Sequence, residues 1–155
     1  MTEPPSPAAE AERELLRLSL TGAAGSVPPQ LAAVLYLAWL GWQHAPRWAA
    51  LLIGVAGCAI GLNRWLLARR YTGPRLDDPD GPARATAGLE LNAAASAAVW
   101  VLGLLLVYPR LQGLQAMVVL MIVCGSISLA ALFMSLAGRS FTLLVVPQVA
   151  AVVGV

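Results

Sequence analysis

Asn63, Arg64, Glu90, Asn92 and Gln148 are polar side chains lying inside, or at the ends of, long apolar runs. An ionisable group in such a setting is rare and marks a functional position by default. Glu90 is the carboxylate nearest an apolar run, and Asn92 and Ser96 follow it. Asn63 and Arg64 close the preceding run at the same expected depth, so a Glu90–Arg64 ion pair locking two helices together is the first reading. A proton- or ion-coupling role for Glu90 and a solvated interfacial Glu90 are the alternatives. Pro147 would free a backbone carbonyl and kink its helix. Gln148 beside it would satisfy the freed group or line a small polar pocket, although proline is also simply frequent in membrane helices.

Other chemistry is sparse. Cys58 and Cys124 are each the eleventh residue of an apolar run. A buried cysteine usually behaves as a small hydrophobe. Met117 and Met121 are one helical turn apart, too few for a copper path. His44, the single histidine, falls beside Trp42 and Trp48; it suits a passive interfacial position, with titration near neutral pH as the alternative. No phosphate-binding loop, zinc motif or nucleophile elbow occurs. No enzymatic activity, cofactor or metal is therefore expected of this chain by itself.

The elements that must position these residues are membrane helices. Of the 155 residues, 59% are hydrophobic and 12% charged, against about 25% charged in soluble domains. The net charge of +2 is small and spread out, which argues against nucleic-acid binding. The expected fold is all-α: a polytopic transmembrane helix bundle of four complete spans and a truncated fifth, preceded by an amphipathic interfacial helix. Residues 1–26 form a Pro-rich disordered start and that helix, in which Ala11, Leu15 and Leu18 make the apolar stripe. Residues 21–26 read as a hinge. The spans are expected at 27–45, 48–67, 89–107, 114–137 and 141–155, with a polar loop at 68–87.

Arginine sets the orientation. Arg64, Arg69, Arg70, Arg75 and Arg84 surround the loop after the second span, whereas the turns after the first and third hold one each, Arg47 and Arg110. The positive-inside rule then puts the N-terminus in the cytoplasm. The last run has fifteen residues where a span needs about 20, so the expectation is a fragment whose intact form completes the fifth span and returns by a sixth. Gly57 and Gly61 form a GxxxG extended by Ala50, Gly54 and Cys58. Two readings stand for this face, packing within the bundle and a dimer seam.

The segments ELLRLSLTGAAGSVPPQLAAVLYLAWL (14–40), LNRWLLARRYTGPR (62–75), VWVLGLLLVYP (99–109) and FTLLVVPQV (141–149) together resemble the N-terminal multi-span sensor region of bacterial signalling proteins. Such regions precede GGDEF diguanylate cyclases, EAL phosphodiesterases or histidine kinases. The resemblance implies a sensory input domain in the bacterial inner membrane, a homodimer, and a C-terminal output domain as partner. A stand-alone small membrane protein, acting as a scaffold or transporter accessory subunit, is the alternative, and a small Glu90-dependent transporter a weaker one.

Overall fold

A backbone away from water must satisfy its own hydrogen bonds, and an apolar chain does so by forming helices. A computed structural model describes residues 7–72, 74–76, 78, 80–134 and 139–154. Among these the chain is all-helical: α1 (Pro7–Gly25), α2 (Val27–His44), α3 (Arg47–Tyr71), α4 (Gly81–Leu106), α5 (Leu114–Met134) and α6 (Ser140–Gly154). Short 3₁₀ turns cover Pro74–Leu76 and Tyr108–Arg110. Four helical stretches are long and apolar enough to cross a membrane: 13–44, α3, 81–110 and 114–132. The fifteen residues of α6 are fewer than such a stretch needs. The expected disorder of 1–6 and the ends of the expected spans at 135–137 and 155 lie outside the described residues.

The N-terminal part departs from expectation. Thr21 to Gly25 is helical, and Ser26 alone separates α1 from α2. The Ser26 N–H donates to the Gly22 carbonyl at 3.0 Å, and the Gln30 N–H to the Ser26 carbonyl at 3.2 Å. Pro28 and Pro29 have no N–H to donate, so the ladder is interrupted only around this joint. The face of α1 that packs on the other helices is a further one, beside the stripe expected to meet the membrane. Leu15 and Leu18 are 44% and 57% exposed, whereas Leu16, Leu20 and Ala23 are buried. Those three pack on Tyr71, Leu76, Ala85 and Leu89.

That contact explains the loop. The expected loop at 68–87 shrinks because α3 runs on to Tyr71 and α4 begins at Gly81. Both extensions build the wall that α1 covers. The turn between them is tight: a Cβ on Gly81 would stand 3.0 Å from the Leu76 carbonyl oxygen and closer still to that of Arg75. At the other end, Gly113 has φ +56°, a value that favours glycine, and it leads the chain from the second 3₁₀ turn into α5.

The main core joins α2, α3 and α4 with α5 and α6 through Val34, Leu37, Ile53, Trp100, Leu104, Val123 and Ala151. α2 lies against α3 at glycine depth. A Cβ on Gly57 would collide with Val34, standing 2.9 Å from its Cγ2 and closer to Cγ1. Cβ atoms on Gly61 and Gly54 would stand 3.1 Å from Leu31 Cδ2 and 3.3 Å from Ala38 Cβ. Gly57, Gly61 and Gly54 are thus met by α2 of the same chain, which is the packing reading of this face. The turn at Ala45–Pro46 is so short that α2 is the nearest helix available to cover that face.

Gly57→Ala should therefore lower stability by about 1–3 kcal/mol, the range for an overpacked core. Adding Val34→Ala should restore part of the loss. Unfolding in mixed micelles of rising denaturing-detergent fraction measures both; a Gly57→Ala protein as stable as the parent would refute the close approach.

Candidate functional site

Arg64 is 4% exposed, deep in a structure that offers a guanidinium little water. Two places in the fold, α4 and the α1–α2 joint, supply it with three acceptors. Its Nε–H donates to Asn92 Oδ1 at 2.8 Å, one terminal nitrogen to Ser96 Oγ at 2.9 Å, and the other to Ser26 Oγ at 3.2 Å. Asn92 and Ser96 stand one turn apart on α4 and share a face. Ser26 belongs to the α1–α2 joint, where its hydroxyl donates to the Ala23 carbonyl at 2.8 Å. Asn92 does double duty: its Nδ2 donates to the Ile60 carbonyl on α3 at 2.9 Å. It therefore clamps α3 at two points, through the backbone and through Arg64.

All three acceptors are neutral. Glu90, two residues before Asn92 on α4, instead accepts the Arg139 backbone N–H at 2.9 Å through its carboxylate. The expected Glu90–Arg64 pair does not form, and among the described residues no carboxylate pairs with Arg64. The geometry is simple. Glu90 and Asn92 are two residues apart, about 200° around a helix of 3.6 residues per turn, so only one of them can face α3. Asn63, about 100° around α3 from Arg64, is exposed. Arg69, Arg70, Arg75 and Arg84 are also exposed; Arg69 stacks on Trp65 and Arg84 pairs with Asp80 at 3.1 Å.

Arg64 borders a cavity of about 400 Å³. Ser26, Gln30, Ser96 and Ser126 are its other hydrogen-bonding walls, together with Tyr36 and Trp100. The rest is apolar, including Ala33, Ile122, Ala130 and Leu144. Pro29 and Ala32 on α2 and Gly125 and Leu129 on α5 also line it, and all four are exposed. The cavity therefore opens sideways between α2 and α5. Gln30 Oε1 is buried without a hydrogen-bond partner among the described residues.

A second polar node connects this cavity to α6. Ser126 Oγ lies 2.8 Å from the Val123 carbonyl and 3.2 Å from Gln148 Oε1. Gln148 is fully buried, and its Nε2 has no partner among the described residues. Pro147 precedes it within α6, where it leaves the Leu143 carbonyl without its usual donor. Cys58 and Cys124 are free thiols, and no group of three or more His, Cys, Asp or Glu could hold a metal ion among the described residues. Sequence reasoning missed Ser26, Gln30 and Ser126. The spacing of Asn92 and Ser96 was a signal available for part of the site. Comparison with family models, curated proteins and solved structures finds no match.

Asn92→Leu should destabilise the bundle by about 1.5–3 kcal/mol, the range for a hydrogen bond lost to a charged group. Asn63→Leu, on the exposed side of the same turn, should stay within about 0.5 kcal/mol. Thermal unfolding in one detergent compares the two directly, and equal effects would remove Asn92 as the clamp.

Proposed function

We propose that the chain is a membrane-embedded regulatory input module: a ligand held in the lateral cavity beside Arg64 changes how α5 packs on the other helices. The observation that carries this reading is a buried cation, with no carboxylate paired to it among the described residues, on the wall of an open cavity. A charge of that kind is costly to keep unless it is used. The resemblance to sensor regions of signalling proteins points the same way, and so does the shortness of the turns joining the helices, which leave no outer domain within residues 27–134 to bind a ligand.

In this reading the arginine-rich end, with Arg69, Arg70, Arg75 and Arg84, faces the cytoplasm of a bacterial inner membrane. Arg64 then stands about 26 Å along α3 from Arg47, inside a hydrocarbon layer of about 30 Å. The mouth between α2 and α5 opens to lipid, so the ligand arrives through the bilayer. α5 is the wall best able to respond, because it meets α2 only loosely and touches Gln148 of α6 through Ser126. A population shift between two α5 packings would carry the signal toward an output domain.

Spin labels at Leu35 on α2 and Leu132 on α5, in a Cys58→Ala/Cys124→Ala background, test the idea in nanodiscs. A native lipid extract should move the mean distance by about 2 Å or more relative to pure phosphatidylcholine. Ala33→Trp, which fills the cavity, should abolish that response. Identical distance distributions in both lipids would overturn the reading.

A further inference from the structure

We propose that the cavity takes a single-chain amphiphile with one carboxylate, its head group on the Arg64 guanidinium and its chain along the apolar wall. This deepens the regulatory reading and rests on the cavity being a ligand site.

The head group follows from counting donors. A guanidinium carries five N–H groups in a planar fork. Arg64 directs one N–H each to Asn92, Ser96 and Ser26, which leaves two without a protein acceptor among the described residues. Those two belong to a side chain that borders the cavity. A carboxylate supplies two coplanar oxygens, and such pairs are among the strongest hydrogen bonds available to a protein. The Ser96 hydroxyl accepts from Arg64, and its own proton finds no protein acceptor among the described residues, so it is one more donor beside the same anion. Charge agrees: Glu90, the carboxylate nearest in sequence to Asn92, is held by the Arg139 N–H. The bound anion would be the missing counter-ion.

The body of the ligand follows from the remaining wall. Beyond the polar end, the surface is made by Ala33, Trp100, Ile122, Ala130 and Leu144. A volume of about 400 Å³ stands near the lower end of the range of ligand sites, about 300–1,000 Å³. It suits one chain and leaves out a two-chain lipid with its head group. The exposed rim of Pro29, Ala32, Gly125 and Leu129 gives such a molecule a sideways path. A chain moving from bilayer to cavity exchanges one apolar surrounding for another, so its burial separates few candidates. Discrimination must come from the head group, and so from Arg64.

The test uses Trp100, which is buried on the cavity wall, as sole fluorophore after Trp39, Trp42, Trp48 and Trp65 are replaced by Phe. The protein sits in phosphatidylcholine nanodiscs at about pH 9, where a carboxyl group is ionised. The probes are a stearic acid brominated at mid-chain, the matching brominated alcohol, and a brominated phosphatidylcholine. The acid should quench Trp100 saturably, with half-saturation at least about tenfold below the alcohol, and the phospholipid should give only unsaturable background. Asn92→Asp sets a protein carboxylate on the guanidinium and should erase the acid's advantage; Arg64→Lys, which keeps the charge but loses the fork, should reduce it. Helical content by circular dichroism confirms that each variant is folded. Equal quenching by acid and alcohol, or an undiminished preference for acid in folded Asn92→Asp, overturns the proposal. If acid and alcohol behave alike while the lipid extract still shifts the α2–α5 distance, the ligand class is wrong and the regulatory reading stands. If neither measurement responds, both fall.

Discussion

One guanidinium sets the terms for the inner half of this bundle. A charge withdrawn from water costs several kcal/mol unless its donors are met, and Arg64 is met from three directions at once. Two of the bonds constrain α4 and the third the α1–α2 joint. Asn92 and Ser96 set the rotation of α4, since both must face α3. Ser26 brings the α1–α2 joint to the same point. Asn92 also bonds the Ile60 carbonyl, so α4 cannot slide along α3 without breaking two contacts together. The apolar packing of Leu16, Leu20 and Ala23 on α3 and α4 lies beyond this polar layer, and the main core lies on its other side. The polar layer is therefore the seam between two apolar lobes.

The cavity persists because the residues around it are too small to fill it. Ala32, Ala33, Gly125 and Ala130 line it where larger side chains would close the space. Such a void forfeits dispersion contacts along its lining, and the arginine beside it adds a charge that no carboxylate among the described residues pairs with. Gln148 adds a buried amide with an unmet donor at the next layer.

Much of the architecture was legible in the chain. The apolar runs separated by Pro46–Arg47 and Pro109–Arg110 mark the turns, because proline and a charge side by side suit a helix end. The polar contacts were harder to read. Matching depths suggested that Arg64 meets Glu90, but depth along a helix says nothing of direction around it, and Asn92 had the direction. The same limit applies to Asn63, whose side faces away from the site although it adjoins Arg64. For α1, the charged stripe of Glu10, Arg13, Glu14 and Arg17 suggested an apolar side opposite it, whereas the buried side follows the surface that α3 and α4 extend toward it. Propensity marks where helices form; a partner's shape decides which face is covered. The GxxxG of α3 was ambiguous for a related reason: small residues announce a close approach without naming the helix that makes it.

That close approach has a mechanical meaning. Val34 sits at Gly57, Leu31 at Gly61, Leu37 at Gly103 and Leu67 at Gly88, so α2, α3 and α4 are keyed to one another like shafts with splines. None can rotate or slide without lifting a side chain out of its slot. Gly125 on α5 has nothing within 4 Å of where its Cβ would be, an empty keyway on the rim of the cavity. At that rim, three helices locked to one another by inserted side chains face a fourth whose glycine meets none.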